Sequence, residues 1–304
     1  MRVHAPAIQY FQAAWRARSI RSASRTLNVA ASAINRQIIK LEEEIGAPLF
    51  ERTSRGLVLT PVGEIFARHV VVVTQDLQRA RSEIQAVFGA RIGHIKIATV
   101  EALCAELLPD VVSQLRSRAP RVTLSIQVMG SGDIPRAVIE GEADLGLAFA
   151  LRRNPGLHQI ALTRFKLGAV VPSDHPLASQ KSTTLAACLS YPLILGTSDL
   201  GISEILTPLF SKLPQPPEPA VQANSIELMR QLTLAGVGIS FLTRFGVSDL
   251  VRSGRLVHVP LDAHGPVWSD LGVYIRAGRT LPAVADVFVH ALLEALSAAE
   301  TSEI

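Results

Sequence analysis

The chain has 304 residues, 48% of them hydrophobic and 18% charged, with a formal net charge of +4 and two cysteines. That length supports two or three domains, each able to bury its own core, and the composition excludes a disordered, fibrous or disulfide-knit protein. The charge is uneven: residues 1–60 hold nine Lys/Arg against four acids (Glu42, Glu43, Glu44, Glu51), a balance of +5, so the remaining 244 residues sum to −1. Basicity confined to one end is what a phosphate-binding surface requires. Met1 to Tyr10 lacks a charged start followed by an apolar run, and no apolar stretch is long enough to cross a bilayer, so a cytoplasmic protein without a membrane partner is expected.

Residues 5–17 form an amphipathic helix through Ile8, Phe11, Ala14 and Trp15. The stretch Ser19 to Gly46 then reads as two helices broken at Leu27-Asn28-Val29, the first over Ser22 to Leu27 and the second stopped by Gly46. Ile34, Ile38, Leu41 and Ile45 recur at helical spacing on the second helix and face inward. Ser32, Asn35, Arg36 and Ile39 fall on or near the opposite face, with Lys40 beside them and Glu43 further along. Small, amide and guanidinium side chains there suit base edges in a major groove, and an exposed apolar side chain suits a thymine methyl. An ordinary surface helix explains this stretch alone equally well.

Two short apolar segments, Leu49-Phe50 and Leu57-Val58-Leu59, flank the basic turn Glu51-Arg52-Thr53-Ser54-Arg55-Gly56 and suggest a β-wing whose arginines reach backbone or minor groove. Thr60 and Pro61 then supply an N-cap and a first helical position. Phe66, Val70, Val73, Leu77, Ala80, Ile84 and Val87 follow at alternating steps of four and three, a 3.5-residue period that marks a seam between paired helices. About 29 residues of helix would span roughly 43 Å. A core helix would show a wider stripe, so this segment is expected to dimerise the chain.

From Gly93 strands and helices alternate, which predicts parallel βαβ units. Strands are expected at His94–Val100, Val122–Val128, Ala143–Phe149, Phe165–Val171, Tyr191–Leu195, Ala220–Gln222, Val237–Leu242 and Leu271–Arg276. Helices are expected at Leu107–Ser117, Asp133–Glu140, Ser203–Phe210, Ser225–Ala235, Thr243–Arg252 and Pro282–Ala298. The overall class is α/β behind a mainly α head.

The order Ala23 … Leu27 … Val29 … Ala33 … Arg36-Gln37-Ile38 … Leu41-Glu42 … Gly46 … Leu49-Phe50 … Arg52 … Arg55 … Leu59-Thr60-Pro61 … Gly63 resembles the winged helix-turn-helix of LysR-type transcriptional regulators over some 60 residues. Family members usually carry Ser-Gln-Pro where this chain has Ala30-Ala31-Ser32, and Ser in place of Asn35. Ala30 lacks a side-chain cap typically contributing ~1 kcal/mol, so sequence preference is expected to lean on Ser32, Asn35, Arg36 and the wing. Later pieces resemble the same family: Leu107-Leu108-Pro109, Glu142-Ala143-Asp144-Leu145-Gly146, His175-Pro176-Leu177-Ala178 and Leu234-Ala235-Gly236-Val237-Gly238-Ile239.

The resemblance implies a DNA-binding domain over residues 1–60, a linker helix over 61–90 and an effector domain over 91–304. That domain would comprise a first subdomain of about 91–164 plus 268–304 and a second of about 165–267, built like periplasmic binding proteins. It implies double-stranded DNA as partner, contacted by Ser22, Ser32, Asn35, Arg36, Ile39, Lys40, Arg52 and Arg55, with the helix-turn-helix at about 19–38. It also implies a homodimer or homotetramer, contact with RNA polymerase, and a small-molecule effector, often a carboxylate.

In open α/β sheets ligands sit beyond the carboxyl ends of strands, which nominates Thr99, Val100, Glu101, Ala102, Ser131, Phe149, Thr197 and Asn224. Glu101 would repel an anion unless its charge points away, so a neutral or cationic effector is the alternative. Each polar residue in this set could instead be a cap or turn former. No HxxxH or HExxH pairing, GxSxG, phosphate-binding loop or GxGxxG is present, so neither metal, cofactor nor catalysis is expected. A transport solute-binding protein and a cytosolic enzyme on the α/β half are the competing readings. Cys104 and Cys188, 84 positions apart, read as small buried hydrophobes rather than redox sensors.

Overall fold

A computed structural model describes residues 6–54, 56–87, 92–262 and 265–301, and the chain divides into two compact units, residues 1–81 and 82–304. The first begins with α1 (Pro6–Ala17), α2 (Ile20–Leu27) and α3 (Ala31–Ile45). Asn28 ends α2 in the left-handed region at φ 53°, a conformation its short amide tolerates, and Gly46 ends α3 at φ 79°. The core between these helices comprises Ala14, Ala23, Ile34 and Ile38, together with Leu57 from the strand that follows. Ile45, expected inward, is 37% exposed because the last turn of α3 leaves that core.

The wing is the hairpin β1 (Phe50–Thr53) and β2 (Gly56–Leu59), paired from Phe50↔Leu59 to Thr53↔Gly56. It leads directly into α4 (Pro61–Val87). Phe11 holds this end of the unit together: it is fully buried, with ring centroids 5.0 Å from Phe50, 4.9 Å edge-on from Phe66 and 6.4 Å from Trp15. Thr60 caps α4 by accepting from the Gly63 N–H at 2.9 Å while donating its hydroxyl to the Pro48 carbonyl at 2.7 Å. Gly63 has to be glycine, since a Cβ there would lie 2.0 Å from the Leu49 carbonyl oxygen.

The second unit runs β3 (Gly93–Thr99), α5 (Leu107–Arg118), β4 (Val122–Val128), α6 (Ile134–Ile139), β5 (Leu145–Phe149) and β6 (Leu157–Pro172). It continues through α7 (Leu185–Cys188), β7 (Leu193–Gly196), α8 (Gly201–Phe210), β8 (Val221–Ala223), α9 (Ile226–Leu234), β9 (Ile239–Thr243) and α10 (Ser248–Arg252). It closes with β10 (Leu256–Pro260), β11 (Trp268–Arg276) and α11 (Ala283–Thr301). Strand order is β4-β3-β5-β11-β6-β9-β7-β8, with β10 also on β6.

Expected parallel pairing holds for β3 with β4 and β5, and for β7 with β8 and β9, but β6 and β11 run antiparallel to their neighbours. The strand expected at Phe165 begins at Leu157; its first half, polar on one side, reads as loop and is held by pairing along the length of β11. The segment expected as one helix from Thr243 breaks into a short turn at 244–246 and α10, and β10 has no expected counterpart.

β6 belongs to two lobes. Residues 157–166 pair with β11, and residues from Gly168 onward pair with β9 and β10. The two chain crossings, at Leu167 and Val267, touch: Leu167 N–H donates to the Val267 carbonyl at 2.8 Å. One core gathers Ile95, Ile97, Leu145, Leu147, Val273 and Phe288, the other Leu167, Val171, Ile194, Met229, Phe241 and Val259. Within the first lobe a buried ion pair ties strands to loops. The Asp144 carboxylate meets the Arg279 guanidinium at 2.6 Å and accepts the Lys96 N–H at 2.8 Å.

Candidate DNA-reading face and effector cleft

On α3 the side chains of Ser32, Arg36, Ile39 and Lys40 are exposed and Asn35 is half-buried; Ile39, 45% exposed, is an apolar side chain set among polar ones. No acid occurs between Ala31 and Leu41. Lys40 reaches Glu44 at 3.9 Å, an exposed i,i+4 pair that holds it only weakly. Ala30 sits at the N-cap of α3 with no side-chain hydrogen bond, as its chemistry requires. Ser22 is exposed on α2 and Arg52 on β1, while Arg55 lies outside the described residues.

Two residues whose role was not read from the sequence position this face. Glu42 turns away from it and accepts the N–H groups of Leu49 at 2.7 Å and Phe50 at 3.3 Å, fixing where the wing starts. Gly56, at φ 104°, lets the second wing strand press on Arg18, whose carbonyl accepts the Leu57 N–H at 2.9 Å. Glycine after a basic turn was the available signal for Gly56, while Glu42 stood in the pattern that carries the resemblance with no role attached to it.

The seam along α4 is only partly free. Phe66 and Val70 belong to the cluster around Phe11 and Leu49, so these two, expected to meet a partner helix, are already engaged by their own chain. Val73, Leu77 and Ala80 are half-buried and Ile84 is 52% exposed; the side chain of Val87 lies outside the described residues.

Between the two lobes of the second unit lies a cavity of about 540 Å³. Val100, Glu101, Ala102, Ser131, Phe149 and Asn224 line it, brought together from four separate stretches of chain. Thr99 and Thr197 do not. Thr99 is fully buried in β3, where strand alternation points it into the core, and the Thr197 hydroxyl is taken by Asp199. Asp199 itself lines the cavity, with Met129, Gly201, Ile226 and Thr243. The walls touch at glycines: a Cβ on Gly130 would stand 2.7 Å from the Asp199 carbonyl, and one on Gly201 2.7 Å from Ser131 Oγ.

Two carboxylates span the lobes. Glu101 accepts the Ser225 hydroxyl at 3.0 Å and the Ile226 N–H at 2.6 Å, capping α9. Glu106 accepts the Ser248 hydroxyl and the Asp249 N–H, the latter at 3.2 Å, at the start of α10. The Glu101 charge is thus directed into a helix N-terminus, where backbone dipoles favour it. The anionic effector implied by the resemblance meets no lysine, arginine or histidine in the lining.

Neither cysteine suits thiolate chemistry. Burial, and secondarily Glu101, pushes the Cys104 thiol up, and burial pushes Cys188 up to about 11. Among the described residues no group of three or more His, Cys, Asp or Glu could hold a metal ion, and no helix is long and apolar enough to cross a membrane.

A winged helix-turn-helix whose outward face is free of acids from Ala31 to Leu41, a long helix behind it and a two-lobed α/β domain with a cavity together define a DNA-binding regulator with an effector domain. Residues 6–64 match the model of the bacterial regulatory helix-turn-helix protein, lysR family, and residues 89–297 match the LysR substrate binding domain. The chain belongs to the LysR family of transcriptional regulators: it binds DNA through its helix-turn-helix and carries a C-terminal effector-binding domain.

Relatives include the HTH-type transcriptional regulator CbbR of Rhodospirillum rubrum, 29% identical over 94% of each chain. The transcriptional dual regulator GltC of Bacillus subtilis is 29% identical over 69% of this chain and 71% of its own. Among solved structures, HinK from Pseudomonas aeruginosa shares 26% identity with a TM-score of 0.58, covering 96% of this chain and 98% of its own. Full-length OxyR from the same organism, at 19% identity, has a TM-score of 0.72 over 94% of this chain and 93% of its own, a likeness of fold. CbnR in complex with its target DNA, at 21% identity, has a TM-score of 0.55 over 96% of this chain and 99% of its own.

Proposed function

We propose that the protein acts in the cytoplasm as a homodimer or homotetramer without catalytic activity, and that its paired heads read a two-fold symmetric operator. Its working parts are a head at 1–60, a linker helix at 61–90 and an effector domain at 91–304. The reading rests above all on the exposed, acid-free row of Ser32, Arg36, Ile39 and Lys40 on α3. Asn35 reads adenine and Arg36 guanine or phosphate, with Ser22, Arg52 and Arg55 on the flanking backbone. Val73, Leu77, Ala80 and Ile84 form the helix seam. A small molecule held between the lobes changes their closure, and through it the spacing of the heads presented to DNA and to RNA polymerase. The cavity between the two lobes of the second unit, between which the chain crosses at Leu167 and Val267, supports that mechanism.

The test is salt-dependent binding of the full chain to the DNA upstream of its own gene. Arg36→Ala is expected to cost about 1–3 kcal/mol of operator affinity and to relax specificity at one base position. Asn35→Ala is expected to do so at a neighbouring one. Binding that ignores salt, or specificity unchanged in both variants across a base-substituted operator panel, would sink the reading.

A further inference from the structure

We infer that the cleft takes an uncharged or amine-bearing, mostly apolar small molecule and rejects carboxylates and phosphates. This rests on the cleft being the effector site, and it specifies the class of ligand.

Charge is the first ground. The walls are formed largely by Val100, Met129, Phe149, Ile202, Ile226 and Leu242, while the charged side chains in the lining are Glu101 and Asp199, both acids. An anion entering this space leaves water for an apolar enclosure that offers like charge and no cation to offset the loss. An ammonium group meets the opposite arrangement.

Occupancy is the second. The N-terminus of α9 faces the cavity and is the place where exposed N–H groups would draw an anion. Glu101 already holds it, through the Ile226 N–H at 2.6 Å and the Ser225 hydroxyl at 3.0 Å. A free carboxylate must displace one tethered within the same chain, which competes at the effective concentration of an intramolecular group.

An unmet hydrogen bond is the third. Ser131 Oγ is enclosed, its residue only 4% exposed, and it has no hydrogen-bond partner although it lines the cavity. Buried hydroxyls are nearly always paired, so this one is left for the ligand. A hydroxyl both donates and accepts, and so serves an alcohol, an amide or an ammonium.

The experiment uses full-length protein without DNA and titration calorimetry with head groups exchanged on a constant ring: phenethylamine, phenethyl alcohol and phenylacetate, then tryptamine, tryptophol and indoleacetate. The amine and alcohol of at least one ring are expected to bind at least about tenfold more tightly than the matching carboxylate. Ser131→Ala should weaken the amine and alcohol by roughly tenfold, and Glu101→Gln should narrow the gap between amine and carboxylate. A carboxylate that binds as tightly as its amine partner, or no binding by any of the six, overturns the inference. Operator binding measured on the same preparations separates the two claims: carboxylate preference with intact DNA binding removes only the ligand class. Loss of DNA binding with amine preference kept removes only the regulator reading.

Discussion

In the head, the side-chain hydrogen bonds that shape the candidate DNA-reading face join near neighbours: Ser19 to Ser22, Glu42 to Leu49 seven residues on, Thr60 to Pro48 twelve back. In the effector domain the corresponding bonds join strangers in sequence: Glu101 to Ser225 across 124 residues, Asp144 to Arg279 across 135, Glu106 to Ser248 across 142. The first construction is complete once a short stretch has folded. The Asp144 pair closes within the first lobe, but the Glu101 and Glu106 bonds exist only while the two lobes hold their places, which suits them to report on whatever lies between.

The largest test of this contrast is a pair of mirror substitutions. Phe11→Ala empties the aromatic cluster of the head and is expected to cost about 3–5 kcal/mol. Arg279→Leu strands the buried Asp144 carboxylate at a similar cost, about 3–5 kcal/mol. Hydrogen exchange on the full chain should show increased opening over 6–54 for the first and over 92–262 for the second; spread of either effect into the other region would break the contrast.

A smaller effect comes from His258. Its half-buried ring lies against Gly168 and donates Nε2–H to the Leu242 carbonyl at 3.0 Å, and burial lowers its pKa to about 4. The folded state therefore keeps the ring neutral where the unfolded chain protonates it. Stability contributed by the neutral ring is full above about pH 6.5 and falls as pH drops toward 4, by about 3 kcal/mol. Urea unfolding of His258→Gln should show that much less acid sensitivity; an unchanged slope would place the acid response elsewhere.

The smallest effect expected is none. With both thiols held protonated, Cys104→Ser and Cys188→Ser proteins should respond to peroxide as the parent does, with operator affinity unchanged in gel-shift titration. A peroxide-dependent change lost in either variant would show the effector half to be a redox sensor.

Legibility followed the same divide. Helix boundaries, the Asn28 turn, the Thr60 cap and the outward row on α3 could be read because each depends on residues within a turn or two. The wall of the cleft was half legible: strand ends nominated Ser131, Phe149 and Asn224, since ligands collect at such ends. Asp199 and the glycine contacts escaped, because only the docking of one lobe on the other makes them neighbours. Thr99 was misplaced by a single position of strand alternation. The antiparallel course of β6 and β11 was hidden because residues 157–164 carry no apolar alternation and owe their strand to distant partners.

The close approach of Gly63 to the Leu49 carbonyl has a mechanical consequence. With Thr60 tied to Pro48 and no room for even a methyl group at Gly63, the wing and the start of α4 are welded into one piece without slack. Its 27 residues make α4 a lever arm of roughly 40 Å. A swing of about 10° at its far end would sweep the welded end through roughly 7 Å, about two base-pair steps. Gly63→Ala is expected to loosen that weld, and under the proposed function to uncouple operator spacing from cleft occupancy.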